Sequence, residues 1–95
     1  MRLILADDHT LVRAGIRALL DRIDDVTTVA ETGDGREALE LIEKHRPDLA
    51  LLDITMPGLN GLEIASRLAS VSPSTKVIVL SVHATEQFVA KALRS

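Results

Sequence analysis

The sequence predicts an α/β domain in which a parallel sheet is covered by helices on both faces. Short apolar runs alternate with segments of helical periodicity four times along the chain, and the connections between them are short. Strands that alternate with helices form right-handed crossovers, which give a parallel sheet. The 95 residues are enough for one small domain and too few for two. We therefore expect a single domain over residues 1–95.

Each predicted strand is a short apolar run, and each predicted helix carries apolar residues at helical spacing. Strands are expected at 2–6, 26–30, 49–52 and 76–82. A first helix of about 10–20 residues is marked by Leu11, Val12, Ile16, Leu19, Leu20 and Ile23. The second helix has a buried face of Ala38, Leu39, Leu41 and Ile42. A third helix is expected at about 61–69 and a polar loop at 70–75, and a fourth helix from about 85 carries Phe88, Val89, Ala92 and Leu93.

Composition narrows the possible functions of the segment. The formal net charge is −3 and there is no lysine- or arginine-rich run, so direct nucleic-acid binding is not expected. The chain has no cysteine, which excludes disulfides, thiol chemistry and cysteine-based zinc sites. No apolar stretch approaches the ~20 residues that span a bilayer, and a predicted strand begins at once, which leaves no room for a signal peptide. We expect a cytoplasmic domain with no membrane partner.

The segment 48–61 joins a predicted strand to a predicted helix through an acidic group and a turn. Its apolar run ends on Asp53, and Pro57 and Gly58 then break the strand, since proline lacks an N–H and glycine permits turn geometry. Asn60 starts the next helix as an N-cap. An acid that ends a buried strand is costly without a partner. Ligands bind at this position in open α/β sheets, so Asp53 is a candidate site residue.

Polar side chains also end two of the other predicted strands. Asp7 and Asp8 follow the first strand, and Ser81 ends the fourth. If the first and third strands are neighbours, their ends bring three carboxylates to one edge, where like charges raise pKa values and destabilise the fold. A divalent cation relieves this repulsion, and carboxylates with waters and a phosphate suit Mg²⁺. Because a carboxylate can also take up phosphate as an acyl phosphate, the residues predict an Mg²⁺-dependent phosphoryl site with one Asp as acceptor.

The motifs in combination resemble the receiver domain of bacterial two-component response regulators. The resemblance is carried by Asp7-Asp8-His9, by segment 53–58 with Asn60-Gly61, and by the apolar strand that ends in Ser81. Segment 7–15 is similar to the LuxR-type (NarL/FixJ) subfamily in particular. The match covers the whole chain with its motifs in the right order. It implies a flavodoxin-like (CheY-like), doubly wound sheet with strand order 2-1-3-4.

The resemblance also implies a role for each acidic residue of the site. Asp53 would accept phosphate from a histidine kinase. Asp8, Asp53 and the backbone carbonyl of Thr55 would hold Mg²⁺, and Asp7 would assist through a water molecule. Such a domain is expected to act as a self-phosphorylating and self-dephosphorylating switch and not as a turnover enzyme.

Two further residues and an output domain follow from the same resemblance. Ser81 would be the switch residue, whose hydroxyl hydrogen-bonds the phosphoryl group and draws the following loop inward. His83 would border the entrance to the site. The domain would control an attached DNA-binding helix-turn-helix output domain, which this sequence does not include.

The sequence departs from the family pattern at its end. Receivers have a fifth strand and a fifth helix, about 25 residues more. The fifth strand supplies a lysine that pairs with the phosphate and an aromatic switch residue, and neither Lys76 nor Lys91 stands at that position. The resemblance therefore implies a receiver that is incomplete at its C-terminus, either truncated or a natural fragment. We expect the fourth strand to form an apolar edge, and the chain to self-associate through that edge or by exchanging an element.

Two other functions are compatible with the same residues. An aspartate-nucleophile phosphohydrolase uses similar chemistry, but that class usually carries a second Asp two residues after the nucleophile, where this sequence has Thr55. A degenerate receiver that never takes phosphate would be a pure interaction domain, and the missing lysine favours it. A nucleotide-binding ATPase is not expected, since the sequence has no P-loop pattern.

Some of these residues also have purely structural interpretations. Asp8 could cap the first helix, where the helix dipole favours an acid. Ser81 could simply form a turn. The histidines are not expected to form a cluster with metal-ligand spacing; they are His9, His45 and His83.

Overall fold

The structure, a computed structural model, describes residues 1–80 as four strands and three helices that alternate along the chain. The elements are β1 (Arg2–Ala6), α1 (Thr10–Asp21), β2 (Thr27–Thr32), α2 (Gly35–His45), β3 (Leu49–Asp53), α3 (Gly61–Val71) and β4 (Lys76–Leu80). The strands form one sheet in the order β2-β1-β3-β4, and every neighbouring pair is parallel. The predicted class, the parallel sheet and the strand order are confirmed. The predicted fourth helix and residues 81–82 of the predicted fourth strand lie outside the described residues.

Strand β2 ends two residues later than the predicted 26–30. Its last two residues, Glu31 and Thr32, are polar and break the apolar pattern that the prediction followed. They nevertheless pair with Leu5 and Ala6 of β1. The backbone ladder to a buried neighbour, and not the side-chain pattern, therefore sets the length of this strand.

Helix α3 also ends two residues later than the predicted 61–69. The prediction assigned Ser70 to a polar loop, but the Ser70 hydroxyl donates to the Arg67 carbonyl at 3.2 Å within the helix. A serine that bonds back to its own helix in this way is tolerated in the last turn. The helix ends at Val71, and the amide of its C-cap residue Ser72 donates to the Leu68 carbonyl.

Both faces of the sheet are covered, as predicted. Alternate residues of β1 point to opposite sides, so Ile4 belongs to one apolar cluster and Leu3 to the other. The larger cluster lies under α2 and α3, and its buried members are Ile4, Ala6, Ala38, Ile42, Ala50, Leu52, Met56, Leu59, Ile64 and Leu68. The smaller cluster faces α1, which packs Ile16 and Leu20 against it but leaves Leu19 exposed.

The start of α3 fixes the loop that follows β3. A Cβ atom at Gly61 would lie 2.5 Å from the Asp53 carbonyl oxygen, so only glycine lets the helix begin directly against the end of that strand. Asn60 caps the helix, because its side chain accepts from the Glu63 amide at 2.8 Å while Glu63 bonds back to the Asn60 amide. The predicted N-cap at Asn60 is confirmed, and the loop 54–60 is anchored at both ends.

Candidate functional site

The C-terminal ends of β1 and β3 bring three aspartates to one edge of the sheet. Asp7 and Asp8 follow β1, Asp53 is the last residue of β3, and these two strands are neighbours. One ligand atom from each aspartate and one from His9 all lie within 4.8 Å of one another. The structure thus contains the juxtaposition of carboxylates that the strand order implies. The roles of these carboxylates in binding an ion and accepting phosphate stay predictions.

Two of the three carboxylates are buried. The relative exposure of Asp7 is 0% and that of Asp53 is 1%. The Oδ1 atom of Asp7 accepts from the His9 amide at 2.8 Å, and the Oδ1 atom of Asp53 accepts from the Thr55 amide at 3.4 Å. The Oδ2 atom of each carboxylate has no hydrogen-bond partner. A buried acceptor without a partner costs about 1–3 kcal/mol, so these two oxygens indicate a pocket built to receive a ligand.

His9 lies against all three carboxylates. Its Nδ1 atom is 3.2 Å from Asp7 Oδ1, 3.1 Å from Asp8 Oδ1 and 3.3 Å from Asp53 Oδ2. The contact with Asp53 lies within the distance of an ion pair. The hydrogen bond to the Asp7 carboxylate raises the pKa of His9 above its usual value, and the negative charges of Asp8 and Asp7 add to this effect.

Sequence reasoning did not assign His9 to the site. The spacing between histidines says nothing about their approach to acids on a neighbouring strand. The available signal was the position of His9 directly after Asp7-Asp8 at a strand end. At that position the chain turns into α1, and His9 is the N-cap residue of that helix without a capping hydrogen bond from its side chain.

The environment of Asp53 disfavours its charged form. Burial is the largest cause of a raised pKa at this carboxyl group, and the neighbouring charges of Asp7 and Asp8 raise it further. The hydrogen bond from the Thr55 amide acts in the opposite direction. The repulsion between strand-end acids that the sequence predicts is therefore present in the folded chain, and a bound cation would relieve it.

The other predicted site residues are placed as follows. Thr55 is exposed two residues after Asp53, and its amide contacts that carboxylate, while the role of its carbonyl stays a prediction. Lys76 pairs with Leu49 at the end of the sheet opposite to the acidic cluster, so it does not take the place of a phosphate-pairing lysine. Two predicted residues, Ser81 and His83, lie outside the described residues.

The donor set fits a small, hard divalent cation. Carboxylate oxygens are the ligands that Mg²⁺ prefers, and Mg²⁺ usually keeps several waters beside one or two carboxylates. The side chains of Asp8 and His9 are 34% and 40% exposed, so an ion can reach the buried oxygens from solvent. The pocket thus combines negative charge, buried oxygens without a hydrogen bond and access for an ion from solvent.

Comparisons with known proteins agree with this architecture. Residues 3–95 match the response regulator receiver domain family. The nitrate/nitrite response regulator protein NarL of Escherichia coli strain K12 is 41% identical over 92 residues, which cover 97% of this chain and 43% of that protein. The transcriptional regulatory protein DegU of Brevibacillus brevis is 39% identical over 95 residues, which cover 100% of this chain and 40% of that protein.

Solved structures give the same result. A DNA-binding response regulator of the LuxR family from Staphylococcus aureus superimposes with a TM-score of 0.80 at 31% identity, covering 94% of this chain and 78% of that chain. RcsB from Salmonella enterica, solved bound to a promoter in the presence of the phosphomimetic BeF3⁻, gives a TM-score of 0.77 at 32% identity, covering 85% of this chain and 41% of that chain.

The chain has a parallel sheet in the order β2-β1-β3-β4 and a cluster of acidic side chains at the C-terminal ends of its strands. This combination is typical of receiver-like α/β domains. The chain belongs to the response regulator receiver domain family, a family of signalling switches, and its relatives include LuxR-type regulators. It spans about two fifths of the length of the curated relatives NarL and DegU.

Proposed function

We propose that residues 1–95 are the phosphoacceptor receiver domain of a two-component response regulator, in which Asp53 takes phosphate from a histidine kinase. The domain acts as a switch that is phosphorylated and dephosphorylated, not as a turnover enzyme. One observation carries the proposal: the buried Oδ2 atom of Asp53 lies without a hydrogen bond beside the carboxylates of Asp7 and Asp8. A carboxylate held in this state is available both to an ion and to an electrophile.

The proposed reaction is a phosphoryl transfer to a carboxylate. An oxygen of Asp53 attacks the phosphorus atom of a phosphohistidine on the kinase, the P–N bond breaks with its electron pair going to the imidazole, and an acyl phosphate forms on Asp53. Asp8, Asp53 and the Thr55 carbonyl would hold Mg²⁺, and Asp7 would assist through a water molecule. When bound, the ion neutralises charge on the phosphoryl oxygens.

Signal output is proposed to depend on residues beyond the acidic pocket. The Ser81 hydroxyl would hydrogen-bond the phosphoryl group as the switch residue, and His83 would border the entrance. The relative RcsB was solved on promoter DNA in the presence of a phosphomimetic, which supports a DNA-binding output domain in the protein to which this segment belongs. The segment itself carries a net charge of −3 and is not proposed to bind DNA.

Labelling with a small phosphodonor tests the proposal. The chain is incubated with Mg²⁺ and acetyl phosphate, and the adduct is measured by intact-mass spectrometry and peptide mapping. We expect an approximately stoichiometric, acid-stable and base-labile adduct on Asp53, which is lost in Asp53→Asn because the amide is not a nucleophile. Asp24→Asn is the matched control, since Asp24 is exposed and lies in the loop after α1.

The same experiment separates the three functional hypotheses. Continuous release of phosphate over many turnovers would indicate a phosphohydrolase, although Thr55 stands where that class carries its second aspartate. The absence of any adduct under saturating donor would indicate a degenerate receiver that serves only as an interaction domain. Labelling that persists in Asp53→Asn would mean that the acceptor is misassigned.

We also propose that the chain self-associates through β4. Among residues 1–80 this strand is paired only with β3, and its Ile78 side chain is 47% exposed. A strand whose outer edge is unpaired and whose apolar side chains are exposed is a template for pairing with a second chain, by edge addition or by exchange of an element. Neither mode is favoured over the other by the described contacts.

Light scattering coupled to size exclusion measures this association. A concentration-dependent dimer is expected, and Ile78→Lys should reduce it because a charge on an edge strand opposes pairing. Leu19→Lys is the control, since Leu19 is 62% exposed on α1, away from the edge. A chain that stays monomeric at high concentration would contradict the proposal.

The proposed partners define where the protein acts. A histidine kinase and promoter DNA are both reached from the cytoplasm, and a cytoplasmic location is proposed for that reason. Within residues 1–80, no helix has the length and apolar character needed to cross a bilayer.

A further inference from the structure

His9 adds a nitrogen donor to a pocket whose other donors are carboxylate oxygens. Its Nδ1 atom is 3.2 Å from Asp7 Oδ1, 3.1 Å from Asp8 Oδ1 and 3.3 Å from Asp53 Oδ2. Ligands that share a tetrahedral Zn²⁺ at about 2.0–2.1 Å are about 3.3 Å apart. The nitrogen therefore already lies at ligand spacing from each carboxylate, and one donor atom from each of the four residues lies within 4.8 Å of the others.

A second observation also points to a ligand here. The Oδ2 atoms of Asp7 and Asp53 are buried without a hydrogen-bond partner in side chains that are 0% and 1% exposed. Hydrogen bonds inside the cluster do not satisfy these atoms, so an external cation is the partner that their charge favours. The partly exposed side chains of Asp8 and His9 leave a path to them from solvent.

We propose that His9 Nδ1 joins Asp7, Asp8 and Asp53 in binding a borderline divalent cation such as Zn²⁺, in a mode distinct from that of Mg²⁺. This inference rests on the proposed ion pocket. Imidazole suits zinc and its neighbours in the first row, whereas Mg²⁺ demands oxygen ligands in an octahedron. Four protein ligands complete a tetrahedral site and leave no position for a phosphoryl oxygen. An ion bound in this way holds Asp53 in its unphosphorylated form.

Two binding measurements on the chain test the role of His9. Isothermal titration with Zn²⁺ and with Mg²⁺ compares the wild type with His9→Ala, and Co²⁺ absorption reports the coordination number. Replacing His9 is expected to weaken Zn²⁺ binding at least roughly tenfold, since loss of even an outer-shell partner costs 10–100-fold. Mg²⁺ affinity should change by less than about twofold, because Mg²⁺ does not need the nitrogen. Co²⁺ bound to the wild-type chain should show the intense visible bands of a four-coordinate ion, and Co²⁺ bound to His9→Ala should not.

A second histidine provides the matched control. His45 is the last residue of α2, and its carbonyl accepts from the Arg2 guanidinium at the start of β1. It therefore lies at the N-terminal ends of the strands, opposite to the acidic cluster. His45→Ala should therefore keep wild-type Zn²⁺ affinity. His9→Ala removes no helix-capping bond, because the His9 side chain makes none, so the variant is expected to fold.

The outcomes are distinct. Equal Zn²⁺ affinity in wild type and His9→Ala overturns the inference, as does an equal loss of Zn²⁺ and Mg²⁺ affinity, which would assign His9 a structural role only. A weakly absorbing, six-coordinate Co²⁺ spectrum of the wild type overturns it independently of any variant. Failure of the acetyl phosphate labelling would leave these binding results unaffected, so it would count against the proposed function alone.

Discussion

Saturating Mg²⁺ is expected to raise the free energy of unfolding of this chain by about 2.7 kcal/mol at roughly 100 times the dissociation constant. An ion that binds the folded pocket and not the unfolded chain stabilises the fold by mass action. The ion should prefer the folded state because it relieves repulsion among three carboxylates, of which Asp7 and Asp53 each have a buried oxygen without a hydrogen bond. Urea denaturation with and without Mg²⁺ measures it.

Variants of single acids locate this stabilisation. Asp8→Asn should lose most of the Mg²⁺-dependent increase, because Asp8 is the partly exposed carboxylate of the pocket and is proposed to contact the ion. Asp24→Asn should retain the full increase, since Asp24 is exposed in the loop after α1. A wild-type chain whose midpoint of unfolding does not respond to Mg²⁺ would refute the ion site, whatever the relatives bind.

Asp53→Asn is expected to stabilise the ion-free chain at neutral pH, by about 1.4 kcal/mol for each pKa unit by which folding raises the pKa of this carboxyl group. Burial and the charges of Asp7 and Asp8 raise the pKa of Asp53 in the folded state above its unfolded value of 3.8. The folded state thus holds the proton more tightly than the unfolded state does, and the ionised carboxylate opposes folding at any pH above the raised pKa. Removing the charge removes this penalty.

The pH dependence checks the cause of the stabilisation. As the pH falls through the raised pKa, wild-type Asp53 becomes protonated and its penalty disappears, so the advantage of Asp53→Asn should shrink towards acid pH. Urea denaturation in EDTA at a series of pH values measures this trend, and Asp24→Asn again serves as the control. A variant that is less stable than the wild type in EDTA at neutral pH would show that the contact of Asp53 Oδ2 with His9 Nδ1 at 3.3 Å outweighs the penalty of the buried charge.

The sequence alone is sufficient to predict the order of helices and strands and the position of the acids at the strand ends. The periods of apolar residues are local properties, and a run such as 49–52 that ends in Asp53 and a turn can be interpreted without knowing its neighbours. Parallel strands bring their C-terminal ends to one edge, so the approach of Asp7 and Asp8 to Asp53 follows from the strand order.

The ends of strands and helices are predicted less well where strand pairing or a hydrogen bond overrides the pattern of apolar side chains. Polar Glu31 and Thr32 belong to β2 because β1 offers them a backbone ladder. Ser70 belongs to α3, where its hydroxyl is satisfied by a carbonyl of the same helix. Both cases depend on partners that a hydropathy pattern does not contain.

The state of the site was decided by the tertiary structure. Only the packed chain shows that Asp7 and Asp53 are buried with one oxygen each unpartnered, and that the His9 ring turns in among the three carboxylates. The physical reason is that burial and charge–charge distance are properties of the space between elements, which neighbouring loops and strands define together. The sequence by itself determined which acids meet at the edge of the sheet, and the fold determined how strongly they repel and which nitrogen approaches them.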